Sequence, residues 1–231
     1  MNVERLTWDS DFFGLRIGRS HISSAEDSCA LVLQKESLKA VFDLVYVIGN
    51  QGIGFSDEGA TLVDRKMVYA LSECSDVYFD DHVELWDCNK LVTRALLDLA
   101  LVSGKYSRFK LDNQFPLGSY ERLYARWIEQ SVKRAMATEV FCYMIGDIPK
   151  GLVTLDLKED VGSIGLVAIA EDCQHRGVGT AMMRHVISYA QKHTCKKLSV
   201  ATQFDNKAAC RLYEKVGFKV ESMTNVWHWW L

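Results

Sequence analysis

Residues 163–180 read SIGLVAIAEDCQHRGVGT: a strand-like run from Ser163, a short polar loop, then Gly177-Val178-Gly179 at the mouth of a helical stretch. Backbone N–H groups at a helix start have no intrahelical partner, and the helix dipole adds partial positive charge there. Glycines let an anion approach such a backbone without a Cβ in the way. A diphosphate is the ligand that suits this arrangement. Two familiar phosphate loops do not fit. A Walker loop needs a Lys-Ser/Thr after its last glycine, and a dinucleotide loop needs a third glycine. A tight strand-to-helix turn with no ligand is the alternative on this loop alone.

A second stretch narrows the choice. Asn206, Ala209, Leu212, Tyr213, Gly217 and Phe218 follow the loop after a further helix and strand. Gln174-His175-Arg176-Gly177-Val178-Gly179 resembles the Q/R-x-x-G-x-G/A signature of the GNAT superfamily of N-acetyltransferases. The second set resembles that family's N-x-x-A-x-x-L-Y-x-x-x-G-F. The resemblance covers roughly residues 65–231. It departs at His175, where glycine is common, and at Glu171, where proline is usual.

The resemblance implies acetyl-CoA as co-substrate and gives roles to residues. The backbones of Leu166, Val167, Ala168 and Ile169 would pair with the pantetheine arm in a gap between splayed strands. One N–H there would face the thioester oxygen, where charge develops during acyl transfer. The amides from His175 through Arg176, Gly177, Val178 and Gly179 to Thr180 would hold the pyrophosphate, with Gln174 opening the loop. Asn206 and Tyr213 are seven apart, about two helical turns, so they share a face toward the cofactor. Asp205-Asn206 suits a helix N-cap. Tyr213 matches the family tyrosine that protonates the departing thiolate, whose thiol pKa in solution is ~8.5. As a bare residue in an amphipathic helix it reads first as core, and the surrounding motif reverses that reading.

The bulk numbers are consistent with such an enzyme. An apolar share of 48% and a charged share of 25% are those of an ordinary globular protein with room for a core. A net charge of −3 argues against nucleic acid or an anionic membrane as main partner. The opening MNVERLTWDSDFFG lacks an apolar run behind basic residues, and no segment nears the ~18 apolar residues of a membrane span. A cytoplasmic location is expected. The seven cysteines (29, 74, 88, 142, 173, 195, 210) are odd in number and contain no CxxC pair, so reduced, mostly buried thiols are expected. Cys173, His175, His193 and Cys195 lack a recognised zinc spacing, and no metal is expected.

The patterning is mixed α/β. Strands are expected at Phe42–Ile48, Leu62–Leu71, Glu139–Ile145, Leu152–Leu157, Ser163–Ala170, Leu198–Gln203 and Lys219–Leu231, with residues 146–151 as a hairpin turn. Helical stripes fall at Leu91, Ala95, Leu99 and Val102; at Leu123, Trp127, Ile128 and Val132; and at Val178, Met182, Val186, Ile187 and Ala190. The expected fold is a mixed, mostly antiparallel sheet flanked by helices. The expected division is a small α/β N-terminal domain (1–64) before a GNAT domain (65–231). Gly54-Phe55 before a strand echoes Gly217-Phe218, which would fit a shortened copy of the same half-fold.

The acceptor amine must be neutral to attack, so a base or water relay is required. Asp156, Glu159, Asp160, Glu171 and His175 lie near strand ends, and spacing selects none of them. Leu6-Thr7-Trp8-Asp9-Ser10-Asp11-Phe12-Phe13-Gly14 resembles the start of the dTDP-fucosamine acetyltransferases. That resemblance implies acetylation of the 4-amino group of a dTDP-amino-dideoxy sugar for surface polysaccharides. Trp8, Phe12 and Phe13 could stack on a base or sugar, or simply anchor the first segment to the core. An acetyltransferase acting on a protein N-terminus, lysine or other small amine, and a non-catalytic acyl-CoA-binding protein, stay open. So does a homodimer.

Overall fold

Ten strands form one mixed sheet in this computed structural model, which describes residues 2–72 and 77–231. Along the chain run β1 (Glu4–Arg5), α1 (Thr7–Phe13), β2 (Ile17–Ile22), α2 (Ala25–Val32), α3 (Lys35–Lys39), β3 (Leu44–Asn50) and β4 (Ala60–Leu71). Then come β5 (Val83–Leu85), α4 (Arg94–Ser103), α5 (Arg108–Leu111), α6 (Ser119–Val132), β6 (Glu139–Ile145), β7 (Ile148–Lys158) and β8 (Val161–Ile169). A single 3-10 turn, Glu171–Cys173, leads to α7 (Val178–Lys192), β9 (Lys197–Gln203), α8 (Lys207–Lys215) and β10 (Lys219–Trp230). The strand order is β1-β2-β3-β10-β4-β9-β8-β7-β6-β5, and only the β2–β3 and β8–β9 ladders are parallel. The expected mixed, mostly antiparallel sheet is what the chain forms.

Each helix buries the stripe that its spacing dictates. In α7, Val178, Met182, Val186, Ile187 and Ala190 are all buried, against Phe141, Leu155 and Val200 of the sheet. In α6, Leu123, Ile128 and Val132 are buried, with Trp127 packed beside them among residues from α4, β7 and β8. The α4 stripe is out of phase with the expectation. Thr93 caps the helix by accepting from the Leu96 amide at 3.3 Å, so the helix starts five residues after Asn89. Its buried residues are Leu96, Leu99 and Ala100, whereas Leu91 precedes the helix and is 87% exposed. Leu91-Ala95-Leu99 and Val92-Leu96-Leu99 both satisfy a 3.6-residue period, and the cap decides between such registers.

Three strands, β1, β2 and β5, have no counterpart in the sequence reading, and β1 is only two residues long. The β2 run IGRSHI interleaves Arg19, Ser20 and His21 with its apolar residues, and β5 is only three residues long. The hairpin turn is narrower than residues 146–151: Gly146-Asp147 alone links β6 to β7, and Pro149 lies within β7 beside a register shift at Tyr143/Met144. Proline is tolerated in a strand at such an irregularity.

The 64/65 position falls inside β4, and β10 pairs along both β3 and β4. The two arms of the sheet are thereby laced together. Trp227 and Trp229 of β10 are buried against Leu31, Phe42, Val45 and Phe55, so the last strand completes the core under α2. The Trp229 indole N–H donates to Asp57 at 2.8 Å, and Lys35 pairs with the same carboxylate at 2.5 Å.

Cys142, Cys173 and Cys210 are buried, but Cys29 and Cys88 are exposed; Cys74 lies outside the described residues. Among the described residues no disulfide forms and no helix is long and apolar enough to cross a membrane.

Candidate active site

The β8–β9 ladder holds four residue pairs, from Val161↔Lys197 to Ile164↔Val200. Beyond it β9 stays with β4 through Gln203, while Val167, Ala168 and Ile169 of β8 stay with β7. The strands part, and a cavity of about 1010 Å³ opens at the gap. That is at the upper end of the ~300–1,000 Å³ typical of small-molecule sites, room for two substrates.

A register shift between Val153 and Leu155 marks the parting. There the Leu166 amide donates to the Thr154 hydroxyl at 2.8 Å, and the Ala170 amide donates to the Lys150 carbonyl at 2.8 Å. Backbone groups alternate sides along a strand, so Leu166 and Ala168 point their amides at β7, and Val167 and Ile169 point theirs into the gap. The expected four pairing residues therefore reduce to two. The side chains of Leu166 and Ala168 are buried in the core under α4 and α6.

At the α7 end of the cavity, the amides of His175, Arg176, Gly177, Val178, Gly179 and Thr180 have no acceptor within the described chain; the first α7 amide that does is Ala181, bonded to Gly177 at 3.0 Å. No side chain caps α7, and its first turn holds no acidic residue. Three amides of the helix end and three of the loop before it are thus without an internal acceptor among the described residues. Gly177 has φ +86° and a Cβ there would meet nothing within 4 Å, so backbone conformation, not crowding, requires this glycine. Gly179 differs: a Cβ would come within 3.3 Å of Leu212, so its absence lets α7 pack on α8. His175 adopts φ 59° and lines the cavity, Gln174 donates to the Ile169 carbonyl at 3.0 Å, and Arg176 is exposed outside the cavity lining. Only the Val178 side chain is core.

Asn206 caps α8, its side-chain oxygen accepting from the Ala209 amide at 3.2 Å, and the residue lines the cavity. Tyr213 lines the cavity from α8, is 3% exposed, and stacks edge-on against Tyr69. Burial holds its phenol well above the ordinary tyrosine range, with the neighbouring Cys210 adding to the shift. The group is protonated at neutral pH, as a phenol with an ordinary pKa of ~10 also is, and the upward shift makes it a weaker acid than free tyrosine.

The opposite end of the cavity was not legible in the sequence. Asp64, Lys66 and Val68 of β4 line it, with Arg108 and Phe109 of α5 and Tyr124 and Trp127 of α6. The signal available was a pair of charges at i and i+2 on one strand face, behind which Met67 and Tyr69 are core. The Asp64 carboxyl is pushed up to about 6, chiefly by burial, against the lowering effect of Arg108 and Lys66. Lys66, Lys105 and Arg108 form no direct ion pair among the described residues, although Arg108 and Lys66 act on Asp64 through space; Arg108 lies over the Tyr46 ring at 4.2 Å.

Trp8, Phe12 and Phe13 do not line this cavity. Phe13 is 3% exposed and packs on Phe109 and Phe115, an anchoring role. Trp8, 55% exposed, stacks on Phe12. Cys173, His175, His193 and Cys195 do not converge, and no cluster of three or more metal-ligating side chains occurs among the described residues.

Known proteins are similar to this chain. The acetyltransferase (GNAT) family profile matches residues 107–218. A dTDP-fucosamine acetyltransferase from Escherichia coli O6:H1 is 30% identical over 96% of this chain and 95% of its own length. A spore coat polysaccharide biosynthesis protein, SpsD of Bacillus subtilis, is 22% identical over 60% of this chain and 47% of its own. Among solved structures, a GCN5-related N-acetyltransferase from Sphaerobacter thermophilus superposes with a TM-score of 0.61, covering 98% of this chain and 75% of its own, at 12% identity. That last likeness speaks to fold alone.

Proposed function

This chain belongs to the GNAT family of acetyltransferases, enzymes that use acetyl-CoA, and we propose that it acetylates the 4-amino group of a dTDP-linked amino-dideoxy sugar. The observation that carries the proposal is the full-length likeness to the dTDP-fucosamine enzyme, which extends through the N-terminal segment outside the family match. The acceptor end of the cavity supports it. Lys66, Lys105 and Arg108 line that end and form no direct ion pair among the described residues, which suits a diphosphate, and Phe109 and Trp127 offer aromatic faces to a base or sugar. Nucleotide-sugar chemistry of this kind belongs in the cytoplasm.

In this reading the free amides from His175 to Thr180 hold the pyrophosphate of acetyl-CoA. Val167 and Ile169 pair with the pantetheine arm as a neighbouring strand would. An amide of that edge donates to the thioester oxygen as it gains charge. Tyr213 then delivers its proton to the departing thiolate.

The test is thiol release from acetyl-CoA across dTDP-amino sugars, UDP-amino sugars, polyamines and peptides. The highest kcat/KM is expected on dTDP-4-amino-4,6-dideoxygalactose, with the free amino sugar at least ~10²-fold worse because the diphosphate contacts are lost. Turnover confined to peptides or polyamines would end the sugar-nucleotide reading.

A further inference from the structure

Asp64 lies on β4 two residues before Lys66, which forms the last β4–β9 pair, opposite Gln203. It therefore stands beyond the point at which β8 has left β9, on the acceptor side of the gap. Its Oδ1 has no hydrogen-bond partner among the described residues although the atom is buried. A buried carboxylate oxygen without a donor is costly unless a ligand supplies one. The groups that face it are Arg108 from α5, Tyr124 from α6, Lys66 on its own strand, and Gln203 and Asp205 at the end of β9; Val226 is its neighbour on β10.

We propose that the Asp64 carboxylate is the proton acceptor that turns the incoming ammonium into the attacking amine. None of the five groups near strand ends that the sequence offered lies in this position. The ammonium arrives with three N–H protons and donates one to Asp64. The freed nitrogen lone pair attacks the thioester carbon, forming the C–N bond. Collapse of the tetrahedral intermediate breaks C–S, and the sulfur leaves with the proton that Tyr213 supplies. The nitrogen sheds its second proton, which restores Tyr213 through solvent, and Asp64 releases its own proton to solvent. The balance is one ammonium and one thioester to one amide, one thiol and one proton.

A carboxyl pushed up to about 6 is ionised at neutral pH, yet more basic than a surface carboxylate, which is the range a general base needs. This inference rests on acetyl transfer through the cavity, not on which amine is used.

The experiment compares wild type, Asp64→Asn and Asp64→Glu on any acceptor that wild type accepts, with acetyl-CoA affinity measured separately by calorimetry. Wild-type kcat should fall as pH drops through about 6. Asp64→Asn should lose ~10²-fold in kcat at pH 7, lack that acidic limb, and recover part of the deficit at pH values where the free amine prevails. Asp64→Glu should keep a limb with a shifted midpoint, and both variants should bind acetyl-CoA within about twofold of wild type. Wild-type kcat and an unchanged limb in Asp64→Asn would overturn the assignment, as would a loss of activity matched by lost acetyl-CoA affinity. A wild-type protein that binds no acetyl-CoA would remove the acetyl-transfer reading together with it.

Discussion

The sheet contains two parallel crossovers, β2 to β3 through α2 and α3, and β8 to β9 through α7, and they differ at the two places that matter for a ligand. β2 and β3 stay paired from Ile17↔Leu44 to Ile22↔Gly49, whereas β8 and β9 part after Ile164↔Val200. At the start of α2 the Ser24 hydroxyl accepts from the Asp27 amide at 3.2 Å, and the Asp27 carboxylate accepts from the Ser23 amide at 2.8 Å. Glu26 accepts at its own backbone as well, which holds its carboxyl below the ordinary range. Side-chain oxygens thus occupy the amides of α2, and the same positions in α7 meet no internal acceptor among the described residues. One crossover supplies its own anion; the other leaves room for a foreign one. The first also lacks a counterpart to α8, since residues 51–59 connect β3 directly to β4. Topology alone does not make a site.

The sharpest separation of the two crossovers lies in turnover. Tyr213→Phe should lower kcat by ~10²-fold with acetyl-CoA affinity within about twofold, read by steady-state kinetics and calorimetry. Normal turnover would leave Tyr213 a core residue. Next in size, Gly177→Val forces a β-branched residue to φ +86°, costing ~1–2 kcal/mol in backbone strain. It should weaken acetyl-CoA at least ~10-fold as the loop amides turn away. Unchanged affinity would mark the loop as a turn with no ligand.

A smaller effect concerns stability and pH. The raised Asp64 carboxyl disfavours the charged folded state, so its cost grows as pH climbs from the ordinary carboxylate range through about 6 and is complete above that. Asp64→Asn should therefore raise Tm at pH 8, and by less at pH 4, in thermal melts. An equal shift at both values would remove burial as the cause. Smallest of all, Ser24→Ala should cost ~1 kcal/mol of stability, as cap removal does, with no change in acetyl-CoA affinity.

The sequence revealed the α7 loop and the α8 motif because both are local: glycines, a cap and a helical period lie within a few residues of one another. It revealed most strands for the same reason, and missed β2 where Arg19, Ser20 and His21 obscure the apolar pattern. The cavity end lined by Asp64 and Arg108 is a different kind of object. Asp64 and Arg108 are distant in sequence and line one cavity only because α5 packs on β4. No spacing rule encodes that packing. Trp8 and Phe12, though local and aromatic, point elsewhere, and Phe13 is consumed by the core.

Amide hydrogen exchange with and without acetyl-CoA bears most directly on the contrast between the crossovers. Saturating acetyl-CoA should slow exchange at residues 175–180 and at Val167 and Ile169, and leave residues 23–27 unchanged. No protection at 175–180, or protection that appears at the start of α2 instead, would contradict the account.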